Sequence, residues 1–180
     1  MKPEVVTDRE PMTEPGSVEA FECFFRSEYP AVVRLATSVV GDIHTAQDVA
    51  QEVFIAAQRR FPDPSRAPHA AGWVKVAAVH TALNTVRGRR RRENRHLRAG
   101  TPLSQSGPEE LALERVSRQE VRDALGKLPR RSTTVLVLRH SGFSYAEVAE
   151  AMGVGIGQVG TMLRRAETAL RKEIEHETHS

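Results

Sequence analysis

Cysteine occurs once in the 180 residues, at Cys23, so no disulfide can form within the chain. That scarcity suits a reducing compartment, and the cytoplasm is the expected location. Beside Phe21, Phe24 and Phe25 the thiol reads as a small buried hydrophobe rather than a nucleophile. Aromatic residues make up only 5% of the chain, which leaves Leu, Val, Ala and Met to build the core. No apolar run approaches the roughly 20 residues that cross a bilayer, so no membrane insertion is expected. The opening MKPEVVTDREPMTEPGS is polar and broken by proline; it is expected as a disordered lead-in over residues 1–17, not a signal peptide. Catalytic patterns are equally scarce. His44, His69, His80, His96 and His140 are scattered, and Cys23 has no evident base partner. Metal-ligand spacing, a phosphate loop and Gly-x-Ser-x-Gly do not occur. Neither enzyme activity, a metal nor a cofactor is expected, and His176 and His179 read as a frayed tail over 176–180.

What is present is charge, unevenly placed. Residues 1–86 hold 8 basic and 11 acidic side chains, a balance of −3. Residues 87–108 hold 7 basic ones against Glu93 alone, or +6, and residues 109–180 hold 11 of each. The excess therefore sits in one block, RGRRRRENRHLR. A charge run is commonly a solvated helix end, but arginine in such excess over lysine favours phosphate contact and hence nucleic acid.

Helical spacing dominates, and strand alternation is missing, which predicts an all-α protein. Residues 18–40 fit one or two helices, with Pro30 near a break, and Gly41-Asp42 closes them. A helix over 44–60 carries two stripes: Ala46, Val49, Ala50, Val53 and Ala57 for the core, and Asp48, Gln51, Glu52, Ile55 and Arg59 pointing elsewhere. After the proline-rich FPDPSRAPHA, a third helix starts near His69 or Ala70 and carries Trp73, Val76, Ala77, His80 and Leu83 into the arginine run. Residues 99–108 have linker composition and divide a first helical domain (18–98) from a second (109–175). In the second, Gly126 stops one helix, and Pro129 suits the first turn of the next. Ser144 and Glu147 form a capping box, and the turn at Gly153-Val154 leads into a last, longer helix. Two helices joined by a tight glycine turn make a helix-turn-helix. Its expected core is Leu125, Leu128, Val135, Leu138, Val148, Ala149, Val159, Leu163 and Leu170.

These motifs, in this order, resemble the two-domain extracytoplasmic-function sigma factors of bacterial RNA polymerase. GDIHTAQDVAQEVFIAA is similar to the family's polymerase-binding helix. WVKVAAVHTALNTVRGRRRR is similar to its tryptophan-led helix for the melted minus-ten element, and ALGKLPRRSTTVLVLRHSGFSYAEVAEAMGV to the opening of its fourth region. The resemblance implies core RNA polymerase, promoter DNA and an anti-sigma factor as partners. It places Asp48, Gln51, Glu52 and Phe54 against the polymerase. It places Trp73, Lys75, His80, Asn84, Arg87, Arg89, Arg90, Arg91 and Arg92 on minus-ten DNA, and Ser144, Gln158, Thr161, Arg164 and Arg165 on the upstream duplex. Two departures bear on the bases read: His80 stands where Asn is common, and Asn84 where Asp is frequent.

The last helix departs furthest. Val159, Leu163 and Ala166 keep the family's core spacing, but Gly160, Met162 and Glu167 occupy positions that are commonly basic. Lost phosphate contacts weaken binding and flatten its salt dependence. Gln158 can still bond an adenine edge, Thr161 a phosphate or base, and the two arginines the backbone. Three readings follow. The first is a promoter-directing sigma factor. The second is a sigma-like protein-interaction module with weakened duplex reading, and the third a stand-alone helix-turn-helix regulator, disfavoured because no coiled-coil seam is visible.

Overall fold

The computed structural model describes residues 15–98 and 109–178, so most of the lead-in, the 99–108 linker and the last two residues lie outside the described residues. Seven helices follow in order: α1 (Pro15–Val40), α2 (Ile43–Arg60), α3 (Ala70–Arg98), α4 (Glu109–Lys127), α5 (Arg130–His140), α6 (Tyr145–Met152) and α7 (Ile156–Thr178). A single 3-10 turn, Pro64–Arg66, separates α2 from α3. No strand occurs among the described residues, so the all-α architecture stands.

Helix α1 is one element, not two. Pro30 lies inside it and is exposed, on the side where water can replace the hydrogen bond that proline removes. Cys23 is exposed as well. Its aromatic neighbours Phe21, Phe24 and Phe25 pack against the core while the thiol falls on the outer arc, so the buried reading is corrected. Helix α2 behaves as its spacing dictates. Asp42 caps it by accepting from the Thr45 N–H at 2.7 Å, a bond that holds its carboxyl below the usual range. Ala46, Val49, Ala50, Val53 and Ala57 are buried, and the second stripe is exposed from Asp48 to Arg59.

In the second module α5 runs through the centre with Thr133 and Thr134 to Leu138 buried. Thr133 stays satisfied there by donating its hydroxyl to the Leu125 carbonyl at 3.0 Å. The expected core residues are buried, save Leu170, which packs at the edge. The Ser144–Glu147 capping box forms in full. Gly153 ends α6 at φ +62°, the left-handed conformation that glycine adopts without steric cost.

The packing of helix α3 matters for function. Its fully buried residues are Val74, Ala78, Val79, Ala82 and Leu83, with Trp73, Val76 and Ala77 only partly covered. One side of α3 packs on α1 and α2, and the other receives α4, α5 and α6. A helix buried on two sides does not show one apolar stripe.

Candidate functional site

The exposed stripe of α2 presents Asp48, Gln51 and Glu52 side by side. Among the described residues neither carboxylate forms an ion pair. Gln51 also lines an open groove of about 500 Å³ between α1 and α2, with Phe21, Phe25, Tyr29, Gln47 and Ile55 along it. Phe54 forms part of its floor and is only 4% exposed. Its ring meets Phe25 at 4.7 Å and Phe24 at 6.2 Å in edge-on contacts. Phe54 therefore holds the groove together and offers little surface of its own. Sequence reasoning missed Phe21, Phe25 and Tyr29 as groove walls, although their clustering on α1 was a usable signal.

The residues expected on minus-ten DNA divide in two. Trp73 packs against Phe61 at 5.5 Å, with the Arg60 guanidinium 5.7 Å from its ring. Lys75 pairs with Glu28 at 3.1 Å, and its ammonium lies 5.4 Å from the Phe143 ring of the second module. Asn84 accepts from Arg130 Nη2 at 2.9 Å. Arg87 donates to the Gly126 and Leu128 carbonyls at 2.7 and 2.8 Å, closing the C-terminal end of α4. Gly72 makes the tightest approach to backbone among the glycines: a Cβ there would lie 2.9 Å from the Ala151 Cα. Gly72, Lys75 and Arg87 thus lie against the second module, while Asn84 stays exposed at its edge.

His80 lies half-buried on the same helix. Burial, then the charges of Arg130 and Arg87, lower its pKa below 6.5. The folded chain favours the neutral imidazole, so this contribution to stability is complete above 6.5 and is lost as pH falls through the lowered value. His80→Asn is expected to remove that dependence. Thermal melts at about pH 5.5 and about pH 7.5 check it; an unchanged pH dependence in the variant would refute the assignment.

Further along α3 the second set remains accessible. Arg91 and Arg92 are exposed, and Arg89 is half-buried near Asp42 and Arg122. The Arg90 side chain lies outside the described residues. Gly88, Arg91, Arg92 and Arg95 line an open hollow, with the Arg91 and Arg95 Nε atoms each 3.3 Å from the helix carbonyl four residues back. The arrangement can seat phosphate groups.

The helix-turn-helix places Thr161, Arg164 and Arg165 on the exposed side of α7. Ser144 is exposed too, but its hydroxyl donates to Glu147 Oε2 at 2.7 Å and accepts from the Glu147 N–H at 3.3 Å. That hydroxyl serves the cap. Gln158 is likewise engaged: its Oε1 accepts from the Gly155 N–H at 3.3 Å, an N-terminal closure that spacing alone did not reveal. Ile156, also unforeseen, is 58% exposed at the start of α7.

Residues 24–92 match Sigma-70 region 2, and residues 118–170 match Sigma-70, region 4. The ECF RNA polymerase sigma factor SigD of Mycobacterium bovis is 33% identical over 154 residues, spanning 81% of this chain and 72% of that protein. The chain belongs to the extracytoplasmic-function sigma factors. RNA polymerase sigma factor YlaC of Bacillus subtilis is 26% identical over 160 residues, covering 87% of this sigma factor and 92% of its own length. The fold also resembles the solved structure of CnrH in complex with the cytosolic domain of CnrY, with a TM-score of 0.54 at 21% identity over 88% of this chain and 90% of that one. The α2 stripe and the covered face of α3 both fall within region 2 of this sigma factor, and the helix-turn-helix within region 4. No helix among the described residues is long and apolar enough to cross a membrane.

Proposed function

We propose that this sigma factor binds core RNA polymerase through the α2 stripe and directs it to promoters, where transcription starts. The observation that carries the reading is the pair Asp48 and Glu52, exposed one turn apart on a helix whose core is complete without them. Two carboxylates at this spacing repel each other by a few tenths of a kcal/mol, a cost that a cationic partner surface offsets. The polymerase does the chemistry. The chain contributes placement, and an anti-sigma factor that withholds it from polymerase belongs to the same reading. Transcription from a promoter library by purified core polymerase plus this chain tests it; no chain-dependent transcript would overturn it.

The arginine run then covers promoter phosphates. Replacing Arg89, Arg90, Arg91 and Arg92 by Ala is expected to weaken binding to all promoter sequences and to lower the salt slope by up to about 4, one unit per lost contact. An unchanged slope would leave the run as a solvated helix end. Arg87 reaches melted DNA only when the second module leaves α3, and the exposed Asn84 only when it releases Arg130, so the closed packing is the form that does not bind promoter. A second reading, protein interaction without duplex contact, is favoured by the first turns of α7, which carry no cation before Arg164. Titration of the full chain with core polymerase against upstream duplex separates the two.

A further inference from the structure

We propose that the first turn of α7 reads thymine in duplex DNA, with Ile156 meeting the 5-methyl group and Gln158 donating from Nε2 to O4. The inference rests on the reading of the second module as a duplex-binding unit and supplies its base chemistry. It starts from the bond between the Gly155 N–H and Gln158 Oε1, 3.3 Å long. A backbone donor meets the oxygen of a glutamine amide, not its nitrogen, so this bond decides which way the amide lies. Bidentate pairing with adenine uses the amide's oxygen and nitrogen together on one base edge. Here the oxygen is drawn back to the backbone, and the NH2 group is left as a donor. Adenine N7 accepts, but the N6 amino group beside it would find no acceptor.

The remaining acceptor edges in the major groove belong to guanine, at O6 and N7, and to thymine, at O4. The neighbours of Gln158 separate them. Guanine's paired acceptors suit a bidentate cation, and α7 has none before Arg164. Thymine carries a methyl group beside its acceptor, and Ile156 stands 58% exposed in the same turn. Between the two, Gly157 has nothing within 4 Å of where a side chain would begin, so the backbone of this turn can approach a groove floor closely. A helix-turn-helix aims the start of its second helix at base edges. The bare Gly157 thus leaves one apolar and one donor group open to the bases.

The test uses the full chain assembled with core RNA polymerase and a pool of duplexes randomised over promoter length. Bound duplexes are sequenced, and the upstream thymine they share is replaced by deoxyuracil, which lacks only the methyl group. The parent is expected to enrich thymine at one upstream position and to bind the uracil duplex about fourfold more weakly, the worth of one buried methyl. Ile156→Ala is expected to bind thymine and uracil duplexes alike. Gln158→Glu keeps an acceptor for the Gly155 N–H but removes the donor, so the preference at its position should vanish while thermal stability holds. Enrichment of other bases, a silent uracil replacement, or a preference that survives Gln158→Glu would overturn the proposal while leaving duplex binding intact. If the parent enriches nothing upstream, both this inference and the duplex-binding reading fall.

Discussion

Reversing Asp48 and Glu52 to arginine is expected to abolish co-purification with core RNA polymerase while changing the stability of the free chain by no more than about 0.5 kcal/mol. Both side chains are exposed, and the buried stripe of α2 lies on its other side. Two arginines one turn apart also repel each other much as two carboxylates do, so the helix itself should register little change. At an interface the consequence is different. Setting like charges together costs several kcal/mol, which corresponds to a loss of about 100-fold or more in affinity. Reversal of Glu150, equally exposed on α6, provides the control and should leave assembly unchanged. A folded double variant that still assembles would refute the role of the stripe. Loss of assembly with Glu150→Arg as well would mean that net charge, not this surface, was being measured.

Gly72→Leu should open the closed form. The three atoms nearest to a Cβ at Gly72 all belong to Ala151, the closest at 2.9 Å. The Cβ of the added side chain therefore meets the second module first. Overpacking of this kind costs about 1–3 kcal/mol, which shifts a closed-to-open equilibrium by about 5-fold to 150-fold. The free variant is expected to show a larger radius of gyration in small-angle scattering and tighter binding to forked promoter DNA, because Asn84 and Arg87 are released from Arg130 and from the α4 carbonyls. A variant that stays compact and binds DNA no better would refute closure at this seam. One that opens without gaining DNA affinity would show that the covered face of α3 is not the DNA face.

The features legible in the sequence are those encoded within about four residues. The two stripes of α2 follow from 3.6 residues per turn, the Ser144–Glu147 box from the reach of one side chain to a nearby N–H, and the Gly153 turn from a backbone conformation that glycine favours. The buried residues of the second module follow from the same periodicity. One local hydrogen bond was harder to foresee: Gln158 carries a group that DNA could use, yet spends its oxygen on its own helix end. The covering of α3 was not legible at all. Arg87 reaches Gly126 and Leu128 across 39 and 41 residues, and Asn84 meets Arg130 across 46. Nothing in a charge run or a polar position distinguishes an arginine that seats a phosphate from one that closes a neighbouring helix, because both need the same donor geometry. Only the packing of one module on the other decides which carbonyl or phosphate that donor meets.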